Sequence, residues 1–342
     1  MTLPELVYLI MGAGLIAYAV TGGADFGGGA WDLFATGPRR GQHREAVESS
    51  IGPIWEANHV WLIFVIVVMW TVFPRAFAAM SIALHIPIAL ALIGIVMRGS
   101  AFVFRAYGLQ PSERRARWGK VFGAASFITP IFLGITLGAV ASGDIEVIYD
   151  PLRVTSGFLA GWLTPFAFSV GLFALSLFML LAAVYLAADT EGEVQEDFRR
   201  RGLLMEGVAA VFAALVFWRA LVEAPALSRN LAASVWTWPV QGLTALFALV
   251  TVVALWLRRF RLARYAVAVQ VGLVVVGYGL AMDGHILLDD VSIAAAGPRM
   301  EIIVPLLPAL AAGTALLVPS LWYLYRVFKG RERPSSLETT SR

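Results

Sequence analysis

Long apolar segments recur along the whole chain, and they constrain its fold more than any other feature. A helix that crosses a bilayer needs roughly 20 mostly apolar residues. Only 14% of the residues are charged, whereas soluble chains carry about a quarter. We therefore expect an all-α integral membrane protein with about nine transmembrane helices. The apolar segments lie at about residues 5–35, 54–74, 77–98, 119–142, 157–187, 203–221, 238–257, 264–282 and 301–326.

The spacing of these segments predicts one polytopic membrane domain over residues 1–328. Hydropathy groups the helices as two four-helix bundles plus one extra helix. The first bundle covers about 1–142, the second about 157–282, and the last helix about 301–328. The first segment lacks a basic leader and a cleavage site, so we interpret it as a retained span. The polar residues 329–342 predict a disordered cytoplasmic tail.

The basic residues predict the orientation of the chain in its membrane. With the N-terminus outside and nine crossings, 21 of the 26 Lys and Arg residues fall on the cytoplasmic side. This asymmetry follows the positive-inside rule and favours an outside N-terminus and a cytoplasmic C-terminus. The basic loops predict contact with anionic lipid rather than nucleic acid.

The composition also bounds the possible cofactors. The chain has no cysteine, which excludes disulfides, thiolate haem ligation and iron–sulfur clusters. Of its histidines, His43 and His285 fall in loops, whereas His59 and His85 are offset by roughly 9 Å along antiparallel helices. We therefore predict no haem, metal or other cofactor on this chain, although a quinone or a lipid could bind. We interpret His59 as a hydrogen-bonding contact between helices.

Two acids stand out near the end of the first span, in the stretch TGGADFGGGAWDLFA. Thr21, Asp25 and Asp32 recur at helical spacing, so they share one face. An ionised Asp in hydrocarbon costs roughly 2.5–3.5 kcal/mol, so this face must meet protein or water. Gly22 and Gly29 favour close helix contacts. Asp32 lies nearer the surface and is expected to be solvated.

The second span begins with a related polar group in SSIGPIWEANHVWLIF. Glu56 and His59 share a face, and Trp55 and Asn58 flank the acid. We predict that Trp55 packs beside this acid. The acids would then lie at staggered depths in the inner half of the membrane, near Arg98 at the cytoplasmic end of the third helix. Two interpretations remain open: a proton path from the cytoplasm, or a static ion network that locks the bundle.

Several motifs carry a resemblance to a known family. The clearest are TGGADFGGG, SSIGPIWEANHVWL, FPRAFA, MRGSAFVFR and SFITPIFLGITLG, and the second half adds TPFAFSVGL and LLVPSLWYLYRVFKG. In the order and spacing of these motifs, the chain resembles the second subunit of cytochrome bd-type quinol oxidases.

The resemblance implies a respiratory function. In that family a haem-free subunit II assembles with subunit I, which holds haems b and d and the quinol site, and a small single-span subunit can join them. The complex oxidises quinol and reduces dioxygen to water with cytoplasmic protons, in the bacterial inner membrane. The resemblance implies that Asp25 and Glu56 correspond to the acids of the family's proton path. It also implies that Arg98 corresponds to the family's buried arginine. We add Asp32 to the path, with Thr21, Trp55, Asn58 and His59 in support.

Within these motifs, three residues of this chain differ from those usual in the family. Gly22 stands where many members have an acid, Glu56 replaces the usual Asp, and His59 replaces Glu or Gln. Two other functions are also considered: a proton-coupled transporter with a substrate site between the bundles, and an assembly scaffold in which no acid carries protons.

Overall fold

The structure is a computed structural model that describes residues 2–51, 55–107, 112–149, 151–296 and 299–329. The predicted disorder of the C-terminal tail falls almost entirely outside these ranges. Gly52 and Pro53, which in the sequence mark the start of the second span, also lie outside them. Within them the helices are α1 (Leu3–Leu33), α2 (Arg40–Ile51), α3 (Trp55–Val72), α4 (Pro74–Ala83), α5 (His85–Tyr107), α6 (Ser112–Ser142), α7 (Pro165–Asp189), α8 (Gly192–Glu223), α9 (Pro225–Ala233), α10 (Thr237–Trp256), α11 (Phe260–Ala281) and α12 (Met300–Lys329).

The helices bear out the expected multi-pass membrane fold. In the described part of the chain, eight helices are long and apolar enough to cross a membrane. The bent pair α3 and α4 brings the number to nine if it is counted as one span, with a 115° bend between its helices. The short helices α2 and α9 were not predicted.

The predicted third span, 77–98, is wrong in position. Phe73 has a non-helical backbone (φ −119°, ψ 56°), and Pro74 then begins the short helix α4. Proline lacks an N–H and has a fixed φ, so it starts a helix readily but cannot continue one from the preceding turn. Leu84 ends α4, and the span proper is α5, from His85 to Tyr107. The real third span therefore lies about eight residues further along the chain.

Two antiparallel hairpins lie in the connections that follow α6 and α11. Strand β1 (Val147–Tyr149) pairs with β2 (Leu152–Val154), and β3 (His285–Leu287) pairs with β4 (Val291–Ser292). The backbone N–H of Leu288 donates to the carbonyl of Val140, which fixes the second hairpin against the end of α6. The fifth span starts later than predicted, at Pro165, where the Thr164 side chain accepts from the Ala167 N–H.

The helices from the two halves of the chain share their core. Helix α1 packs against α3 and α6 from the first half and against α7 and α11 from the second. One cluster of buried residues includes Val72 and Phe166 and lies where α1 begins, whereas the other includes Phe26 and Phe198 and lies at the opposite end. The division into two bundles near residue 142 stays a prediction, because both clusters cross it.

Candidate functional site

A buried hydrogen bond joins the first two spans at the predicted acid. Asn58 Nδ2 on α3 donates to Asp25 Oδ2 on α1 over 2.6 Å. Asp25 is 5% exposed and Asn58 is 3% exposed. The side of α1 that carries this acid therefore meets protein rather than lipid, as the sequence predicted.

Arg98 lies inside the bundle, beside this pair. Its side chain is 1% exposed, and its guanidinium carbon is 4.8 Å from the ring centre of Phe26. Arg98 Nη1 lies 3.3 Å from His59 Nε2, so the predicted role of His59 as a helix contact is confirmed. Asp25 is close enough to interact electrostatically with the guanidinium.

The predicted depth of Arg98 is wrong. It was expected at the cytoplasmic end of the third helix, but α5 continues for nine residues beyond it, to Tyr107. The shifted start of α5 causes the error, because the break at Leu84 moves the whole span. Arg98 is therefore a charge within the span and does not count as a basic loop residue.

Tyr18 belongs to the same buried group, although we did not predict it as a site residue. Its side chain is 3% exposed, and its ring centre lies 6.0 Å from that of His59. Among the described residues, Tyr18 Oη and the Nε and Nη2 atoms of Arg98 are buried without a hydrogen-bond partner. Such atoms commonly bind ordered water. Because Tyr18 is seven residues before Asp25, the two lie on the same face of α1.

Glu56 differs from Asp25 because its side chain is exposed on the surface of the chain. It lines an open groove between α3 and α5 together with His59, Ser100 and Phe104. The prediction that Glu56 and His59 share a face is thus confirmed, but Glu56 itself is not buried within this chain. Successive helical residues turn by about 100°, so Glu56 and Asn58 point to opposite sides of α3.

The expectation that Asp32 is solvated is also wrong. Asp32 is 1% exposed, and Arg105 Nη1 on α5 donates to its Oδ2 over 2.8 Å. Arg105 also bonds to Glu48 on α2 over 3.2 Å, and Arg44 Nε lies 3.8 Å from Asp32 Oδ1. Helix α2 thus covers the end of α1, and the sequence pattern did not reveal this packing. The seven-residue spacing of Arg98 and Arg105 was a signal that both face the bundle.

The remaining predicted supporting residues are Thr21 and Trp55. Thr21 Oγ1 donates to the carbonyl of Ala17, one turn earlier on the same helix, over 2.7 Å. The hydroxyl of Thr21 therefore donates to the backbone of its own helix and does not donate to Asp25. The side chain of Trp55 lies outside the described residues, so its predicted packing beside the acid stays a prediction.

The glycines of α1 allow close contacts with α6 and α7. A Cβ at Gly27 would overlap the carbonyl oxygen of Phe178, and one at Gly29 would overlap the side chain of Ser126. Trp31 Nε1 also donates to the carbonyl of Met179 over 2.8 Å. The close helix contact was predicted, but the glycine that meets a neighbouring backbone is Gly27 rather than Gly22, where a Cβ would meet only the Tyr18 ring.

Comparison with known families decides how these features are interpreted. A family model described as cytochrome bd terminal oxidase subunit II matches residues 3–328. The chain belongs to this family. The resemblance carried by the sequence motifs is therefore confirmed.

Individual members of the bd oxidase family agree with this assignment. The chain is 28% identical to cytochrome bd-I ubiquinol oxidase subunit 2 of Escherichia coli K12 over 188 residues, 55% of this chain. That match spans about half the relative's length, namely 49%. The chain is 23% identical to a putative cytochrome bd menaquinol oxidase subunit II of Bacillus subtilis over 92% of each chain. A bd oxidase structure from Geobacillus thermodenitrificans shares the fold, with a TM-score of 0.80, 24% identity and coverage of 97% of this chain and 100% of that one.

A second polar cluster of this subunit II family member joins α2 to α8. His43 was predicted to lie in a basic loop, but it is part of α2 and only 4% exposed. Its Nε2 is 3.0 Å from Asp197 Oδ2, and Arg201 Nη2 donates to its Nδ1 over 3.3 Å. Burial lowers the pKa of His43, and the hydrogen bond to Asp197 opposes that shift.

Within the described residues of this bd oxidase subunit, no group of three or more His, Asp or Glu side chains is arranged to hold a metal ion. His59 bonds to Arg98, and His85 Nδ1 lies 2.9 Å from the carbonyl oxygen of Ile82. That this chain binds no haem or other cofactor stays a prediction, because the side chains alone do not test it.

Proposed function

We propose that this chain is the haem-free subunit of a bd-type quinol:oxygen oxidoreductase. It supports a haem-bearing subunit I and conducts cytoplasmic protons to it for the reduction of dioxygen to water. The complex lies in a bacterial inner membrane, with the N-terminus of this chain outside and its C-terminus in the cytoplasm. Family membership supports the oxidase assignment, and the positions of Asp25 and Glu56 support the proton role.

The observation that carries the proton role is the arrangement of acids around α3. On one side of α3, Asn58 binds the buried Asp25. On the other side, two residues earlier, Glu56 opens into the groove beside α5. The first turn of α3 thus connects an acid inside the bundle with an acid at the chain surface.

The exposed position of Glu56 supports a covering partner. A carboxylate facing hydrocarbon is unfavourable, whereas one that faces water or a protein interface is tolerated. The wall of the groove is otherwise largely apolar, with Ile95, Val96, Val103 and Phe104. We propose that subunit I covers this groove, which would bring Glu56 to the boundary between the two chains.

The other residues of the group would assist proton transfer without reacting. Arg98 supplies a fixed positive charge near Asp25, which limits the cost of leaving that acid ionised after it passes on a proton. The unpaired buried atoms of Tyr18 and Arg98 can bind water, through which protons exchange. Asp32, held by Arg105, would mark the cytoplasmic mouth. The haems of subunit I would supply the electron transfer and the oxygen chemistry.

Copurification tests this assignment. A tag on this chain should recover a haem-rich membrane protein, and the complex should consume oxygen when quinol is added. The chain expressed alone should show no haem absorption. Recovery without a haem partner, together with proton-driven solute uptake in vesicles, would instead support the transporter. Recovery of a small single-span protein, lipid or quinone with the complex would identify further components.

A further inference from the structure

A third buried acid lies in the second half of the chain, away from the proposed proton path. Glu206 on α8 is 7% exposed, Gln270 on α11 is 4% exposed and Thr251 on α10 is fully buried. Gln270 Nε2 donates to Glu206 Oε1 over 2.6 Å. Thr251 Oγ1 lies 3.4 Å from Gln270 Oε1, so the three side chains join three helices.

Glu206 has no cationic partner in the described part of the chain. Asp32 shares a salt bridge with Arg105, whereas none of the salt bridges found among the described residues includes Glu206. Its hydrogen-bond partner, Gln270, is a neutral amide. A buried carboxylate without a cation is strongly unfavourable, and such a group gives up its charge by keeping a proton.

The charged groups of the surrounding helices are engaged elsewhere or exposed, as Arg261 on α11 is. Helix α10 carries no titratable residue. On α11, Arg264 bonds to Asp189 at the end of α7 over 2.7 Å and lies against the Tyr185 ring. On α8 itself, Arg201 contacts His43. The other charged groups of α8 and α9 bond among themselves or to groups away from Glu206: Glu193 and Asp197 with Arg39, Glu196 with Arg199 and Arg200, Arg219 with Glu223, and Arg229 with the Pro225 carbonyl.

The two oxygens of Glu206 meet different environments. Oε1 accepts a hydrogen bond from Gln270, but Oε2 is buried and meets no hydrogen-bond donor among the described residues. An ionised carboxylate would leave charge unsatisfied at Oε2, whereas a carboxylic acid would leave only a neutral O–H there, and a buried neutral group costs much less than a buried charge. The asymmetry matches a neutral acid whose proton is on Oε2.

We propose that Glu206 is a separate proton-binding site, which keeps its proton at neutral pH and joins α8 to α11 as a neutral acid. The site is distinct from Asp25 and Glu56 and does not depend on their proposed role. Close packing shields it from water: a Cβ at Gly202, one turn earlier on α8, would lie 3.1 Å from Leu255 Cδ1 on α10. Ionisation at alkaline pH would therefore place an unpaired charge between three packed helices.

Infrared difference spectroscopy on the purified complex tests this proposal directly. We expect the wild type at neutral pH to have a protonated-carboxyl band, sensitive to deuterium exchange, that is lost in Glu206→Gln. The matched control is Asp189→Asn, which removes an acid paired with Arg264 and should change only carboxylate bands. Carboxylate bands in the Glu206→Gln difference spectrum would show that Glu206 is ionised and would overturn the proposal.

A second pair of measurements covers failure of the glutamine variant to assemble. Glu206→Asp keeps the acid, so the protonated-carboxyl band should shift rather than disappear. Alkaline titration of the wild-type complex should convert the band to carboxylate as thermal stability falls. A wild-type complex without any such band at neutral pH would also overturn the proposal.

Discussion

Asn58 on α3 donates a hydrogen bond to Asp25 on α1 over 2.6 Å, and both side chains are almost completely buried. This contact fixes the acid between two spans and keeps it away from lipid. The acid thus has a neutral hydrogen-bond partner in Asn58 and the charge of Arg98 nearby. The proposed proton path rests on this contact and on the exposed acid two residues before Asn58.

Replacing Asp25 with Asn removes the proton-exchanging group and keeps the size of the side chain. We expect quinol-driven oxygen uptake to fall by about tenfold or more, which corresponds to ~1.4 kcal/mol or more in the barrier. Haem content should stay normal, as measured by absorption spectra. Thr136→Val is the control, because that hydroxyl bonds only to Phe132 within α6. Loss of the assembled complex would instead indicate a structural role for Asp25.

The Arg105 and Asp32 pair should make a large contribution to stability. Arg105→Gln leaves Asp32 buried without its closest cation, and breaking such a pair costs about 3–5 kcal/mol. Adding Asp32→Asn removes the stranded charge, so the double variant should recover much of the lost thermal stability. A double-mutant cycle on the purified complex measures this coupling. Additive losses would contradict the buried ion pair.

Gly27 should tolerate no side chain, because its Cα faces the backbone of α7. Gly27→Ala forces α1 away from the Phe178 carbonyl, and overpacking of this kind costs about 1–3 kcal/mol. Gly12→Ala on the same helix is the matched control, since nothing lies within 4 Å of its added Cβ. Thermal denaturation measures the stability of both variants, and we expect a loss only in Gly27→Ala. Equal stability of the two variants would refute the close contact of α1 with α7.

The cluster around His43 should make stability depend on pH. Burial lowers the pKa of His43 from its ordinary value, which is about 6.5. As pH falls through that value, the unfolded chain takes up a proton that the folded chain resists, so stability falls. His43→Gln should lessen this loss between neutral and mildly acidic pH, as measured by thermal denaturation. His85→Gln, which removes an exposed imidazole outside the cluster, is the control, and parallel pH profiles for wild type and His43→Gln would contradict this account.

The membrane fold and part of the site were predictable from the sequence because they depend on local patterns. Apolar length identified the spans, and helical spacing placed Asp25 on a buried face. Spacing also paired Glu56 with His59. These inferences require only the number of residues in a helical turn and the free-energy cost of placing a charged side chain in lipid.

The remaining features depend on how distant segments pack. The break at Leu84 moved α5 and Arg98 along the membrane, although Pro74 was visible in the sequence. The burial of Asp32 depends on α2 covering the end of α1, and no periodicity indicates that contact. The link between Glu206 and Gln270 joins residues 64 positions apart, and the sequence offered no pattern that related them.

The most direct test of the proton path is the rate of proton uptake by the Glu56→Gln complex in sealed vesicles after an oxygen pulse. Glu45→Gln, at an exposed acid on α2, provides the control. We predict that Glu56→Gln slows both oxygen reduction and proton uptake by about tenfold or more, with an unchanged haem spectrum, whereas the control matches the wild type. Proton uptake at the wild-type rate in Glu56→Gln would contradict the proposed path.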